Sequence, residues 1–219
     1  MLLYYITDRS QFSGDEGSRR RQLLEKIQQA VDCGVDYVQL REKDLSAAEL
    51  EKLAGEVAAV VHELRTENPK LKTGLLINSR TDVALATGAD GVQLRSDDIS
   101  ADEVRKIWDQ CSDRNNRATI GVSCHNLDEV SRAAEQGADF AVFGPVFEKN
   151  AKPDLQPAGL EVLRQACGHG IPVVAIGGIT VENAEWCVQA GAAGIAGIRL
   201  FQEHEMAGVV GKLRNAIRQ

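Results

Sequence analysis

The sequence has no apolar run approaching the ~20 residues of a membrane-spanning helix, so no membrane partner is expected. It has no basic excess: 25 Lys and Arg stand against 32 Asp and Glu, a formal net charge of −7. That balance argues against general nucleic-acid binding, which requires a basic face. There is no C-x-x-C pair, and the five cysteines (Cys33, Cys111, Cys124, Cys167, Cys187) are odd in number. Reduced thiols in a cytoplasmic protein are the plain inference. The opening M-L-L-Y-Y-I-T-D lacks the basic region and cleavage site of a signal peptide. No Gly/Ser/Pro-rich linker or like-charged block divides the chain, so residues 1–219 read as one domain. The pattern leaves the oligomeric state open.

What is present is a hydrophobic content of 43%, enough for one substantial core. It is organised around Pro172–Thr180, P-V-V-A-I-G-G-I-T. Val173–Ile176 is too short for a helix and suits a buried strand. Gly177 and Gly178 end it, and Thr180 stands where it can cap a following helix. Lacking Cβ atoms, the two glycines leave their backbone N–H groups open to an anion. A helix N-terminus beyond them adds positive potential. Two readings stand side by side: a phosphate cradle, or a tight strand-to-helix turn.

Short apolar runs and capping residues alternate along the whole chain. Strands are expected at 2–7, 37–40, 74–77, 92–94, 119–122, 140–143, 173–176 and 195–198. The helices between them are expected from Ser18 to about Cys33, from Ser46 to about Glu67, over Thr81–Thr87, from Ser100, over Leu127–Gln136, up to Cys167 and over Val181–Ala190, with a last one from about Met206. Ser46 with Glu49, and Ser100 with Glu103, have the spacing of capping boxes. Residues 33–42, 87–96, 136–145 and 190–199 repeat one pattern, a helix-ending glycine, a small step and a strand. Their glycines, 34, 88, 137 and 191, are spaced by 54, 49 and 54 residues, with two strand–helix units in each interval. Strict βα alternation requires parallel strands, and eight units in a chain of this length predict a (β/α)8 TIM barrel. An open doubly wound sheet is the alternative; the even repeat favours closure.

Active sites of such barrels lie at the C-terminal ends of the strands. The residues there are Asp8-Arg9, Arg41-Glu42-Lys43, Asn78-Ser79-Arg80, Arg95 to Asp98, Ser123-Cys124-His125, Gly144 to Lys152, Gly177-Gly178 and Arg199. Each cation alone reads as a rim charge. Together, after at least five of eight strands in an acidic chain, they point to an anionic ligand that engages several strands.

Seven pieces, in order along the chain, resemble thiamin-phosphate synthase and its relative the thiazole tautomerase. They are I-T-D-R (6–9), V-Q-L-R-E-K (38–43), I-N-x-R (77–80), G-A-D-G-V-x-L (88–94), G-V-S-x-H (121–125), G-A-D-F-x-x-F-G-P-V-F (137–147) and A-I-G-G-I-T (175–180). The resemblance implies a (β/α)8 barrel that joins a hydroxymethylpyrimidine pyrophosphate to a thiazole phosphate and releases pyrophosphate. It implies that Gln39, Arg41 and Lys43 hold the pyrophosphate with Asn78, that Asp98 binds Mg²⁺, and that Ser123 faces the pyrimidine. Gly177 and Gly178 would cradle the thiazole phosphate with Ile198 beside it. Negative charge building on a departing pyrophosphate is met by cations and Mg²⁺, and no protein nucleophile is needed.

The chain departs from the synthase pattern at Ser79, where Asp is usual, and in the loop 148–153, where Lys152 alone survives. Gln93, Arg95 and Arg199 replace the usual His, Gly and Ser. A weakened Mg²⁺ site is therefore expected, with Arg41, Lys43, Arg95 and Lys152 supplying positive charge. The tautomerase shares the loss of that Asp, and its acid–base histidine corresponds to His125, which reads equally as a polar residue before a helix. Synthase is the expected activity. The alternatives are an aromatising isomerase of the thiazole phosphate and a non-catalytic phosphate-binding relative. Cys124 reads as a packing residue, Asp97 and Asp98 as either caps or ligands, and Trp108 and Trp186 as packing between helices and barrel. His62, His169 and His204 read as solvated surface.

Overall fold

Strand β1 (Leu2–Ile6) sets Tyr4 beside Tyr37 of β2 (Tyr37–Leu40) on one side and beside Ala196 of β8 (Gly194–Gly197) on the other. In the computed structural model, which describes residues 1–111, 117–147 and 157–215, the sheet therefore has no edge. Between them follow β3 (Gly74–Asn78), β4 (Gly91–Arg95), β5 (Thr119–Cys124), β6 (Phe140–Phe143) and β7 (Val173–Ile176). All eight neighbouring pairs are parallel and the barrel closes in sequence order. The (β/α)8 fold is as expected, and the open-sheet alternative is excluded.

The helices are α1 (Glu16–Asp32), α2 (Ala47–Glu67), α3 (Thr81–Thr87), α4 (Ala101–Cys111), α5 (Leu127–Glu135), α6 (Gly159–Cys167), α7 (Ala184–Gln189), α8 (Arg199–Gln202) and α9 (Met206–Asn215). None is long and apolar enough to cross a membrane. Helix α2 carries the full Ser46–Glu49 capping box. Gly34, Gly88, Gly137 and Gly191 all have positive φ, from 69° to 103°, which reverses the chain after a helix at no Cβ cost. The aspartate two residues on has a second task. Asp36, Asp90 and Asp139 each accept the N–H of a residue at the start of an adjacent strand, Leu3, Leu75 and Ile120, at 2.7–2.8 Å. Each also pairs with an arginine: Arg214, Arg65 and Arg105 respectively.

Two apolar layers result. Tyr4, Ile6, Leu76, Phe140, Val142, Val174 and Ala196 fill the barrel interior. Tyr4 packs edge-on to Phe140 at 5.6 Å and Tyr37 stacks on the same ring at 5.4 Å. The alternate strand residues pack outward against the helices.

Three local expectations change. Helix α1 is capped by Asp15, whose carboxylate accepts the Ser18 N–H at 2.8 Å, so it starts before Ser18 and takes in Gly17. Helix α7 begins at Ala184 and not Val181, and Thr180 does not cap it. Asn183 accepts the Thr180 N–H at 2.8 Å and donates to the Gly178 carbonyl at 3.0 Å, which holds the intervening residues in a turn. Trp108 is buried as expected, but Trp186 is 52% exposed, edge-on to Phe147.

Candidate active site

The C-terminal mouth of the barrel opens into a cavity of about 1200 Å³. Gln39, Arg41, Asn78, Ser123, His125, Gly177, Gly178, Ile198 and Arg199 line it. Five strand ends, those of β2, β3, β5, β7 and β8, thus deliver nine expected residues to one space. Lys43 and Asp98 are not among its lining residues, and Lys152 with the rest of the 148–153 loop lies outside the described residues.

The glycine turn is built by backbone contact. A Cβ on Gly177 would lie 2.6 Å from the Pro145 Cα, and one on Gly144 would lie 2.0 Å from the Ile176 carbonyl oxygen. Gly177 and Gly178 have φ of 99° and 64°, a left-handed path that glycine alone adopts freely. The Gly177 carbonyl accepts the Phe147 N–H at 3.0 Å. The trans peptide then turns the Gly178 N–H the opposite way. At the end of the neighbouring strand β8 stands Arg199, the first residue of α8, a helical turn that was not expected from the sequence because it directly follows the strand.

Arg41 is half-buried, and burial lowers its guanidinium pKa against the pull of Asp8 and Glu42. A desolvated guanidinium gains from an anion brought to it. Its backbone N–H donates to Thr7 Oγ1 at 3.0 Å, and that hydroxyl donates to Glu42 Oε1 at 2.5 Å. Glu42 Oε2 accepts from the Arg9 backbone N–H at 2.9 Å and from its Nη1 at 3.1 Å. Arg9 also grips Asp44 with two nitrogens, at 2.7 and 2.9 Å, and Glu16 with Nε at 2.7 Å.

This changes the reading of the strand-end cations. Arg9 is saturated by carboxylates and only 4% exposed. Arg80 pairs with Asp82, and Arg95 with Asp97 and Asp98 at 3.2 and 3.3 Å. Of the strand-end arginines expected to converge, Arg41 and Arg199 line the cavity; the others serve local ion pairs.

A polar chain crosses the cavity floor. Gln39 Nε2 donates to the Tyr4 hydroxyl (3.1 Å), which donates to Gln93 Oε1 (3.0 Å), and Gln93 Nε2 donates to Ser123 Oγ (3.0 Å). Gly121 makes room for it, since a Cβ there would sit 2.3 Å from Gln93 Oε1. Tyr4 is fully buried, and burial raises its pKa well above the ordinary value. No sequence signal marked Tyr4, which reads as one more apolar strand residue.

His125 lies before α5, with Nδ1 3.3 Å from Glu129 Oε2, and the same oxygen accepts its backbone N–H at 2.7 Å. Burial works to raise the Glu129 pKa, but these hydrogen bonds bring it below the usual value. Cys124 is buried, and that burial pushes its thiol up to about 12, which suits packing and not nucleophilic chemistry. His204, expected on the surface, is exposed at the cavity rim with Glu203, Glu205 and Lys212. Among the described residues no three His, Cys, Asp or Glu side chains group as metal ligands.

A sequence model of the family described as thiamine monophosphate synthase matches residues 3–201. The thiamine-phosphate synthase of Syntrophomonas wolfei is 39% identical over 215 residues, 97% of this chain and 94% of that one. That of Saccharopolyspora erythraea is 36% identical over 208 residues, 93% of this chain and 86% of that one. A solved structure of thiamine phosphate pyrophosphorylase from Pyrococcus furiosus superposes with a TM-score of 0.78 at 29% identity, covering 99% of this chain and 95% of that one. Closed barrel, strand-end residues and near full-length likeness agree, and the chain belongs to the thiamine monophosphate synthase family.

Proposed function

We propose that the protein joins hydroxymethylpyrimidine pyrophosphate to thiazole phosphate and releases pyrophosphate, as a thiamine-phosphate synthase. One observation carries the reading: a single cavity is lined by Arg41 from the end of β2 and by Gly177, Gly178 and Arg199 from the ends of the adjacent strands β7 and β8, which suits two separate anionic groups. The thiazole phosphate takes the glycine N–H groups and Arg199, with Ile198 against its ring. The pyrophosphate takes Arg41, Lys43, Asn78 and Lys152. Gln39 is assigned to the pyrimidine ring together with Ser123, because its amide is tied into the cavity floor by Tyr4. The C–O bond to pyrophosphate breaks and the thiazole nitrogen forms the new C–N bond. The guanidinium and ammonium groups stabilise charge on the leaving oxygens as it develops.

Magnesium belongs to this proposal. The Asp98 carboxylate is a hard oxygen donor with a 15% exposed side chain. Its Oδ2 accepts the Arg95 N–H and its Oδ1 the Arg95 Nε, so each oxygen keeps a lone pair. Mg²⁺ commonly takes one or two protein carboxylates and fills its shell with water and phosphate, so Asp98, which is not itself among the residues lining the cavity, would hold it with water and the pyrophosphate completing the shell. When bound, it neutralises pyrophosphate charge. Sharing of the carboxylate with Arg95, and a neutral Ser79, make that hold weak. The five cysteines, all free, suit the cytoplasm.

The test is incubation with both phosphorylated substrates and Mg²⁺. Thiamin phosphate and pyrophosphate are expected in equal amounts; no product at any Mg²⁺ concentration overturns the proposal. The His125–Glu129 pair favours a second reading, isomerisation of the thiazole phosphate with His125 as acid–base. His125-dependent isomerisation without thiamin phosphate would put that reading in its place.

A further inference from the structure

We infer that Tyr4 and Gln93 are positioning residues that fix the hydrogen-bonding polarity of the pyrimidine pocket, so that it selects an aminopyrimidine over the corresponding oxopyrimidine. The inference rests on the synthase reading for the ring itself, and on the floor chain Gln39–Tyr4–Gln93–Ser123 for its direction.

Each hydroxyl has one proton to give and each amide one end that only donates and one that only accepts, so the direction propagates. Gln39 spends an amide N–H on the Tyr4 oxygen, which leaves its Oε1 as an acceptor for the cavity it lines. The Tyr4 proton goes to Gln93 Oε1. That commits the Gln93 amide nitrogen to Ser123 Oγ. With its oxygen engaged as acceptor, Ser123 has its proton left to give to a ligand. The cavity therefore offers a donor at Ser123 and an acceptor at Gln39. A 4-aminopyrimidine presents the complement, a ring nitrogen that accepts and an amino group that donates. A pyrimidin-4-one presents the opposite pattern, a ring N–H and a carbonyl, and meets donor with donor. Reversal of the floor would require both amides and both hydroxyls to turn together.

The chain is fixed by its surroundings. Tyr4, Gln39 and Gln93 are at most 2% exposed, so an unmatched group there cannot turn to water. Gly121 leaves the space that Gln93 Oε1 occupies. Gln93 stands where the resemblance leads one to expect histidine, and an amide, unlike a ring, carries donor and acceptor on one end.

The experiment is calorimetric titration of the protein with 4-amino- and 4-oxo-5-hydroxymethylpyrimidine pyrophosphate, beside the turnover assay. Wild type should bind the amino compound about 10- to 100-fold more tightly, the range of one or two mispaired buried hydrogen bonds. Tyr4→Phe releases Gln39 and should shrink that ratio at least several-fold with thiazole phosphate affinity unchanged. Gln93→Glu is close to isosteric but, once ionised, cannot donate to Ser123. Its ratio should fall as pH rises, while that of wild type stays flat; a purely structural role predicts no such profile. Equal binding by wild type, preference for the oxo compound, or an unchanged ratio in both variants overturns the inference. Binding of neither compound overturns it together with the synthase reading. Preference without turnover overturns the synthase reading alone, and turnover without preference overturns the inference alone.

Discussion

Arg9 and Glu42 meet at 3.1 Å beneath the barrel mouth, 4% and 6% exposed. Between them they tie the exit of β1 to the exit of β2, the strand end that carries Arg41. Arg9 keeps Asp44 and Glu16 if Glu42 is removed, but removing Arg9 leaves the Glu42 charge buried without a cation, which costs about 3–5 kcal/mol. Arg9→Met should lower stability by that amount, read as a shift in urea midpoint. The double variant Arg9→Met with Glu42→Leu should recover more than half of it, because no buried charge is then left alone. Equal losses in the single and double variants would show that the pair is not coupled.

The same network sets a pH dependence. The Arg9 guanidinium holds the Asp44 carboxyl below the usual range, whereas burial raises Glu42 against the hydrogen bonds of Thr7 and Arg9. For Asp44, folded below unfolded, the stability is present above the unfolded value of ~3.9 and lost as pH falls through the folded one. For Glu42, folded above unfolded, the contribution is full below ~4.3 and lost as pH rises through the folded value. Stability should therefore rise as pH is lowered from neutrality towards ~4.3 and fall below that. Urea midpoints against pH check it. Glu42→Gln should lack the rise, and Asp44→Asn should show a shallower acid fall.

Much of the fold was legible because one device recurs. The glycine after each second helix announced four strands, and the echo around it announced closure. The aspartate in that echo read as spacing, yet in three of four repeats it caps an adjacent strand and takes an arginine from a remote helix. Ala193 at the fourth copy shows that the turn itself needs no carboxylate. The glycine cradle and the Q-L-R-E-K strand end were legible as chemistry bound to strand ends. Arg9, Arg80 and Arg95 were misread, because a sequence shows a cation but not the carboxylate that the fold brings to it. Tyr4 was invisible for the converse reason: its hydroxyl acquires meaning from Gln39 and Gln93, 35 and 89 residues away.

The echo aspartates yield a prediction of their own. Each stands at the end of the barrel opposite the cavity, where side chains serve stability and not catalysis. Asp36→Ala, Asp90→Ala and Asp139→Ala each strip a strand N–H and an arginine of their acceptor, at a cost of about 1–3 kcal/mol. Thermal unfolding should report the loss, with KM for both substrates unchanged. A variant that keeps its Tm but loses substrate affinity would place the aspartate in the site after all.

Ser79 is the non-glycine residue with positive φ, 56°, among the described residues. Its hydroxyl oxygen is buried without a partner. Serine pays about 1–2 kcal/mol for that conformation and more for an unmatched hydroxyl, while Asp and Asn enter the left-handed region more readily. Ser79→Gly should be about 1 kcal/mol more stable, once the larger chain entropy of unfolded glycine is set against the strain relieved. Ser79→Asn relieves strain without adding charge, and Ser79→Asp adds a carboxylate on the strand next to β4, whose end leads to Asp98. If Asp98 alone holds Mg²⁺ in the wild type, Ser79→Asp should tighten Mg²⁺ binding, measured calorimetrically with pyrophosphate present, by about tenfold, since Mg²⁺ affinity grows with carboxylate count. It should also lower the Mg²⁺ concentration for half-maximal rate. Ser79→Asn should match wild type in both measurements while sharing the gain in stability. Should Ser79→Asn tighten Mg²⁺ as much as Ser79→Asp, backbone relief and not charge would be the cause, and Asp98 would lose its place as the metal-holding residue.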